Sequence, residues 1–384
     1  MRIQARLCFF LILICSGTFC PVQLAALDTQ SYAAYRARAA QITAAMDDST
    51  LAAQVILTAI EGRASLSPAM RTLLTQVPVG GIMLFRYNLD TPTEDVRRLI
   101  SESSAFVTER AGIAPFIAVD HEGGLVHRFG PGVERLPSAF SFWELALREG
   151  WAVALNRAET LYRRSAEEIR GLGINMVLGP VAEPLYGDNH LFLGSRSYGP
   201  QPVFTRVAAS TYIRSMDAFG ISSVVKHFPG NTALDPHYHI SILEQNRWAL
   251  NEMTRPFAEI IRDLSPPALM LSHVIVPALD SERNASLSRA VIEDWLRGEL
   301  GFEGIAMADD FAMRAVTDLG LSPAAAVVEA LNAGIDMVMT WPHNLRATHS
   351  AILEALVSGR LPRERLLEAA QRIITEKIRY GLVP

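Results

Sequence analysis

Cysteine is almost missing from this chain. The 384 residues include three, Cys8, Cys15 and Cys20, and all of them lie near the N-terminus. They fall in a segment laid out like an export signal, in which Arg2 and Arg6 precede the apolar run LCFFLILIC and then small and polar residues. If this leader is removed, no thiol remains, which excludes disulfides and cysteine chemistry from the mature chain.

The apolar run at residues 7–15 is shorter than a helix that crosses a bilayer, which takes about 20 residues. A cut after Ala26 would put Leu24 and Ala26 at the two positions that a signal peptidase reads. The sequence therefore predicts an export signal at 1–26 and a periplasmic or extracellular domain at 27–384. An uncleaved membrane anchor is one alternative, and a lipid on Cys15 or Cys20 is another.

Other absences exclude other classes of protein. Charged residues make up 20% of the chain, the net charge is −5, and no basic block or stripe is present, so we expect no nucleic-acid partner. No glycine-rich phosphate fingerprint follows a candidate strand, which argues against a nucleotide-binding sheet. No G-x-S-x-G elbow is present, so acyl transfer by a serine is set aside. No internal repeat or second domain is visible.

Short apolar runs alternate with helical patterns from about residue 50 onward. These runs are apolar throughout rather than alternating, as expected for strands that are covered on both faces. The candidate strands are VGGIMLF (79–85), APFIAVD (114–120), INMVLGPV (174–181), SSVVKHF (222–228), ALMLSHV (268–274), GIAMADD (304–310) and GIDMVMT (334–340). AAQVILTA (52–59) is an eighth candidate whose period also fits a helix.

Seven or eight strands, each followed by a helix, predict an α/β fold, a single (β/α)8 barrel of the TIM type. A doubly wound open sheet is the alternative. The Gly- and Pro-rich stretch 123–141 is a long loop that could cover a site at one end of the barrel.

Polar residues follow several of the candidate strands. They are Asp120, Lys226 with His227, His273, and Asp309 with Asp310. One charged strand end is more often a helix cap or a solvated turn. In a barrel, however, these ends meet at one rim, which is where barrel enzymes carry out their chemistry.

Two chemistries could use these residues. In metal-assisted hydrolysis, the ligands would be His227, Asp235, His237 and His239, although a lone H-x-H pair is a weak signal. In glycoside cleavage, Asp309 would be the carboxylate nucleophile and His237 the proton donor to the leaving oxygen. Asp235, two residues before His237, could fix its tautomer and raise its basicity.

The sequence resembles family 3 glycoside hydrolases of the β-N-acetylglucosaminidase type. The family's loop typically reads KHFPGHGxTxxDSH, and this chain has KHFPG (226–230), then D-x-H (235–237), then a strand that ends in DD (309–310). Further similar stretches are GGIMLF, VDHEGGLVHRF, LGINMVLGPV, GSRSYG, MLSHVIVPALD, SLSRAVIEDWLRGELGFEG, AGIDMVM and a terminal helix ending in YGL. Together they extend over nearly all of the chain after about residue 45.

The resemblance implies roles for individual residues. Asp309 matches the nucleophile, His237 matches an unusual histidine acid/base, and Asp235 matches its dyad partner. The residues that match sugar-holding positions are Asp120, Arg128, Arg196, Lys226 and His227. It also implies a small saccharide substrate and no metal or organic cofactor, and we expect a monomer that meets a membrane only through its leader.

Several positions depart from the family pattern. The loop between Gly230 and Asp235 is two residues shorter, and Pro236 stands where the family has serine. Proline biases Asp235 toward extended geometry and removes a backbone donor. Leu125, Glu183 and Ala308 replace arginine, aspartate and serine, respectively. These differences imply a divergent member of the family.

The resulting hypothesis is a retaining exo-β-N-acetylglucosaminidase that acts on peptidoglycan fragments through a covalent glycosyl-aspartate intermediate. A related exo-β-glucosidase or xylosidase is one alternative. A catalytically silent sugar-binding homologue, whose shortened loop no longer works, is the other.

Overall fold

The computed structural model describes residues 29–383. Its main sheet has eight strands, whose residues are almost entirely buried because helices cover one face and the barrel interior the other. The strands are β1 Ile56–Ala59, β2 Gly81–Leu84, β3 Phe116–Asp120, β4 Met176–Val181, β5 Ser222–Phe228, β6 Ala268–Leu271, β7 Ile305–Ala308 and β8 Val338–Thr340.

All neighbouring strands in this sheet run parallel, in the order β7-β6-β5-β4-β3-β2-β1-β8. A parallel bridge between Met307 and Met337 joins the two outer strands, and the Ala308 amide donates to the Met337 carbonyl at 3.1 Å. The predicted (β/α)8 barrel is therefore confirmed. Its side chains form one hydrophobic core that reaches from the strands to the surrounding helices.

Helices separate the strands. They are α1 Thr29–Ala44, α2 Asp48–Gln54, α3 Pro68–Gln76, α4 Arg86–Leu89, α5 Thr93–Ala111, α6 Ala139–Glu149, α7 Trp151–Leu172, α8 His190–Leu193, α9 Pro202–Asp217, α10 Arg247–Leu264, α11 Arg314–Thr317, α12 Pro323–Ala333, α13 Leu345–Val357 and α14 Arg363–Arg379. Short 3-10 turns lie at Gly194–Arg196, Ala285–Leu287 and Pro342–Asn344, and a π-helix spans Ala290–Glu299. Serine caps followed by proline start α3 and α12, as their sequences favour.

A small second sheet lies beside the mouth of the barrel. Ser241–Ile242 pairs in parallel with Val274–Val276, which pairs antiparallel with Asp280–Asn284. The first of these strands follows directly on the loop that carries Asp235 and His237. The sheet therefore fixes the downstream end of that loop next to the end of β6.

Two of the predicted strands have different bounds in the structure. The ambiguous run 52–59 is divided, since Gln54 ends α2 and Ile56 begins β1. The run 268–274 is also divided, because β6 ends at Leu271 and the chain then turns into the small sheet. His273 lies at this turn, facing the barrel mouth.

None of the helices within residues 29–383 combines the length and the apolar character that crossing a membrane requires. The predicted leader lies outside the residues that the structure describes. Export and the cleavage site after Ala26 therefore stay predictions.

Candidate active site

A cavity of about 250 Å³ opens at the C-terminal ends of the barrel strands. Seven of the eight residues to which the resemblance gives roles line it, namely Asp120, Arg128, Arg196, Lys226, His227, His237 and Asp309. The eighth, Asp235, does not line the cavity but is hydrogen-bonded to Nδ1 of His237. The fold thus brings together residues that lie at or beyond the C-terminal ends of β3, β4, β5 and β7.

Lys226 is the centre of a buried charge cluster on one side of this cavity. Its Nζ lies 2.9 Å from Asp120 Oδ1 and 2.7 Å from Glu122 Oε1. Burial would lower the pKa of Lys226, but the two carboxylates outweigh it and hold the pKa above its ordinary value. Asp120 also accepts a bond from Arg128 at 3.1 Å. Burial opposes ionisation of Asp120, yet Lys226 and Arg128 keep its pKa below the usual range.

Glu122 is a residue of the site that the sequence reasoning did not single out. It accepts two bonds from Arg196, from Nε at 2.8 Å and from NH2 at 2.9 Å. Burial opposes its ionisation, but Arg196 and Lys226 lower its pKa well below the usual range. The guanidinium of Arg196 is therefore held in one plane, as a bidentate pair requires. The position of Glu122 two residues after Asp120, in VDHEGG, was the available signal.

Glu183 holds His227 in one tautomer. His227 Nδ1 lies 2.6 Å from Glu183 Oε1, and the His227 amide donates to the same oxygen at 3.2 Å. On the other side of the ring, Nε2 faces an Arg196 N–H at 3.4 Å. The proton therefore belongs on Nδ1, and Nε2 accepts. Asn231 closes the group by donating to both Glu183 oxygens, at 3.0 and 3.2 Å.

Asp309 lies just past the end of β7, at the floor of the mouth. The amide of Asp310 donates to its Oδ1 at 2.8 Å, and Oδ2 accepts no hydrogen bond from any residue between 29 and 383. Asp310 itself bonds elsewhere, because its Oδ2 accepts from the Trp341 indole N–H at 2.7 Å. The two adjacent carboxylates are therefore held apart.

Asp235 and His237 form a hydrogen-bonded pair on the loop after β5. His237 Nδ1 lies 2.7 Å from Asp235 Oδ1, and the His237 amide donates to the same oxygen at 2.9 Å. This arrangement turns Nε2 of His237 away from the carboxylate, so that nitrogen can exchange a proton with a bound molecule. The His237 side chain is 58% exposed, so it lies at the rim rather than in the floor.

The shortened loop lies at the barrel mouth. The Pro236 carbonyl accepts from the Ala315 amide at 3.1 Å, and the His237 carbonyl accepts from the Arg314 amide at 3.4 Å. Both donors belong to α11, which follows Asp309. The loop that carries the Asp–His pair is therefore joined through its backbone to the chain that carries the aspartate.

His273 completes the floor without facing free solvent. Its Nδ1 lies 2.7 Å from Ser286 Oγ, and its Nε2 lies 3.3 Å from the Asp310 carbonyl oxygen. Burial lowers its pKa, although Asp309 opposes the shift. A neutral ring that donates to a backbone carbonyl is a support for the segment after β7.

The residues considered as metal ligands do not gather into one set. Within residues 29–383, no group of three or more His, Cys, Asp or Glu side chains is arranged to hold a metal ion. His237 is bonded to Asp235 and His227 to Glu183, while His239 is exposed and outside the cavity lining. The described geometry favours the glycoside chemistry over the metal chemistry.

Comparison with known proteins agrees with the resemblance in the sequence. The model of the glycosyl hydrolase family 3 N-terminal domain matches residues 42–376. The beta-hexosaminidase of Pseudomonas aeruginosa is 32% identical over 296 residues, which are 74% of this chain and 81% of that protein. Beta-hexosaminidase A of Pseudoalteromonas piscicida is 26% identical over 333 residues, and this chain spans only 55% of its length.

Solved structures are also similar. A glycoside hydrolase family 3 beta-N-acetylglucosaminidase from Paenibacillus sp. superposes with a TM-score of 0.81 and 29% identity, over 88% of this chain and 64% of that one. LpqI of M. tuberculosis superposes with a TM-score of 0.75 and 25% identity, over 88% and 96% of the two chains. Because the family model matches most of the chain and the Pseudomonas aeruginosa relative is 32% identical over 74% of it, the chain belongs to glycoside hydrolase family 3.

Proposed function

We propose that the protein is a retaining exo-β-N-acetylglucosaminidase in which Asp309 is the nucleophile and His237 the acid/base. The observation that carries this proposal is that a carboxylate and an Asp-bonded histidine, which follow two different strands, line one small cavity. The names of its bacterial relatives, beta-hexosaminidase and beta-N-acetylglucosaminidase, favour this sugar over glucose or xylose.

In the first step, Oδ2 of Asp309 attacks the anomeric carbon of the terminal sugar. A C–O bond to the enzyme forms as the glycosidic C–O bond breaks, and His237 gives its Nε2 proton to the departing oxygen. Asp235 stabilises the histidine while it carries that proton, because the carboxylate accepts from Nδ1.

In the second step, neutral His237 takes a proton from water. The resulting hydroxide attacks the anomeric carbon, the bond to Asp309 breaks, and the sugar leaves with its original configuration after two inversions. Because the base is an imidazole rather than a carboxylate, an anion such as phosphate would meet less repulsion at this position. Product analysis in phosphate buffer tests that variant, and the absence of any sugar 1-phosphate rejects it.

The sugar itself would be held by the charged side of the cavity. Asp120 and Arg128 offer an acceptor and donors to ring hydroxyls, while Arg196 and His227 line the same side from β4 and β5. Groups already bonded to one another lose little freedom when a sugar binds, which favours tight and specific recognition. The small cavity suits one terminal sugar ring, and hence an exo mode of action.

A panel of aryl β-glycosides tests the proposal. We expect the N-acetylglucosaminide to be hydrolysed and the glucoside and xyloside to react at least about 100-fold more slowly, since a site built for one polar substituent strongly rejects the analogue without it. Asp309→Ala should abolish turnover. Binding of N-acetylglucosamine without turnover in the unaltered protein would instead identify a silent sugar-binding homologue.

We also propose that the protein is exported and acts on peptidoglycan fragments. Residues 1–26 support export, and the family resemblance supports muropeptides as natural substrates. Fractionation of cells that express the full chain, with N-terminal sequencing of the product, tests both the location and the cut after Ala26. Release of N-acetylglucosamine from purified muropeptides tests the substrate.

A further inference from the structure

The chain from Asp310 to Ala315, here called the 310–315 segment, joins the two groups proposed to be catalytic. At its start, the Trp341 indole N–H donates to Asp310 Oδ2 at 2.7 Å, and the Ala312 amide donates to Asp310 Oδ1 at 2.9 Å. Both carboxylate oxygens of Asp310 are therefore occupied. Trp341 in turn stacks on Phe85, with ring centroids 4.8 Å apart and planes 23° apart.

The backbone of Asp310 is fixed as well. Its carbonyl oxygen lies 3.3 Å from His273 Nε2, and its amide donates to Asp309 Oδ1 at 2.8 Å. The hydrogen bond from the Asp310 amide holds one carboxylate oxygen of Asp309 and so sets the direction of the other oxygen. A rotation at Asp310 would turn this N–H away from Asp309. The hydrogen bond from Trp341 to Asp310 therefore also fixes the orientation of the Asp309 carboxylate.

The other end of the 310–315 segment holds the acid/base loop. The amides of Arg314 and Ala315 are in the first turn of α11, where no partner exists within the helix. They donate instead to the carbonyls of His237 and Pro236, at 3.4 and 3.1 Å. A displacement that begins at Asp310 would thus reach His237 through the backbone.

We propose that Trp341 is a positioning residue, which anchors the 310–315 segment and thereby sets Asp309 and His237 relative to one another. The inference rests on the proposed function. Trp341 follows β8 and lies outside the stretches that resemble the family, and its contacts with Asp310 and Phe85 support this role. The same anchor would also hold the shortened loop in position through the 310–315 segment. This loop has two residues fewer than the family pattern.

Trp341→Phe tests the anchor because it removes the indole N–H and keeps an aromatic ring against Phe85. Because the lost hydrogen bond is made to a charged group, we expect kcat to fall by about 10-fold or more. KM should stay within about twofold, because the anchor positions the reacting groups and not the residues proposed to hold the sugar. A rise in KM with kcat unchanged would overturn the inference and make Trp341 a substrate contact instead.

Two substrates with different leaving groups distinguish the roles of the two ends of the 310–315 segment. Ala315→Pro removes the donor to Pro236 at the second residue of α11, where the backbone N–H has no partner within the helix. It should slow an alkyl N-acetylglucosaminide, whose leaving oxygen needs a proton, and spare the dinitrophenyl glycoside, which departs without one. Trp341→Phe should slow both substrates, because it also disturbs Asp309. Equal rates for Trp341→Phe and the unaltered protein on both substrates would refute the inference.

Two controls make these outcomes distinguishable. Trp151→Phe makes the same substitution away from the cavity and should leave kcat within about twofold, because Trp151 does not line the cavity. Near-UV circular dichroism of each variant at the assay temperature shows that it is folded, and if Trp341→Phe does not fold, Phe85→Leu tests the same anchor through the stacking contact. Inactivity of the unaltered protein on every glycoside would contradict the proposed function, whereas an active protein that Trp341→Phe leaves unchanged contradicts only the anchor.

Discussion

Replacing Glu122 with glutamine removes one negative charge from the buried cluster that holds Arg196 and Lys226. Its carboxylate accepts two bonds from Arg196 and lies 2.7 Å from Lys226 Nζ, and its side chain is only 4% exposed. Glutamine keeps the shape but loses the charge. Lys226 then has Asp120 as its remaining anionic partner, and Arg196 has a neutral oxygen in place of an ionised pair.

The structure sets the size of the effect. Removing one partner from a buried ion pair costs about 3–5 kcal/mol, because the remaining charge is left buried without compensation. Since Asp120 still pairs with Lys226, we expect Glu122→Gln to lower the free energy of unfolding by about 3 kcal/mol, the lower end of that range. We also expect KM to rise, because Arg196 is no longer fixed in the plane that faces the cavity.

The same variant predicts a change in pH dependence. The pKa of Glu122 is lowered on folding, so its contribution to stability is complete above the unfolded value of about 4.3 and is lost as the pH falls below it. The unaltered protein should therefore lose stability more steeply below about pH 4.3 than Glu122→Gln does.

Urea unfolding, followed by fluorescence at several pH values, measures both quantities. Glu144→Gln, an exposed glutamate on α6, is the matched control and should stay within about 0.5 kcal/mol of the unaltered protein. If Glu122→Gln is as stable as this control at pH 7, the charge of Glu122 in the buried cluster does not stabilise the fold.

Three further predictions concern neighbouring parts of the molecule. Asp235→Asn should lower kcat by about 100-fold on alkyl glycosides and far less on dinitrophenyl glycosides, because His237 loses the carboxylate that supports its proton. Asn231→Asp should place a negative charge against Glu183 and lower the midpoint of thermal unfolding, whereas Asn231→Gln keeps a donor and should lower it less. Burial lowers the pKa of Lys377 to about 7, so stability should rise with pH from 7 to about 10.4, and Lys377→Met should abolish that slope in urea unfolding.

Much of the barrel could be predicted from the sequence because its strands are buried on both faces and therefore read as continuous apolar runs. The limits of this reasoning are visible at residues 52–59, where both Ala52 and Ile56 are buried although one is helical and the other extended. Burial on all sides removes the periodicity that distinguishes a helix from a strand. The predicted strand 268–274 was too long for another reason. Val274 pairs with the distant Ser241–Ile242 strand and does not extend β6.

The candidate site was predictable where its residues follow strands, because strand ends must converge at the mouth of a barrel. Glu122 was missed because a glutamate after a strand usually indicates solvent, and only the fold shows that Arg196 reaches it across the mouth. The contact between the shortened loop and α11 was equally unpredictable, since it is made by the backbone groups of Pro236 and Ala315. No side-chain pattern encodes such a contact.

The most direct test of the account is to identify the residue that becomes covalently attached to the sugar. A fluorinated N-acetylglucosaminyl fluoride, which forms the glycosyl-enzyme faster than it is released, should add one sugar per chain. Peptide mass spectrometry should then find that sugar on Asp309, with no label in Asp309→Ala. Turnover with the sugar attached at Asp310 or Asp235, or with no covalent species under these conditions, would contradict the central claim.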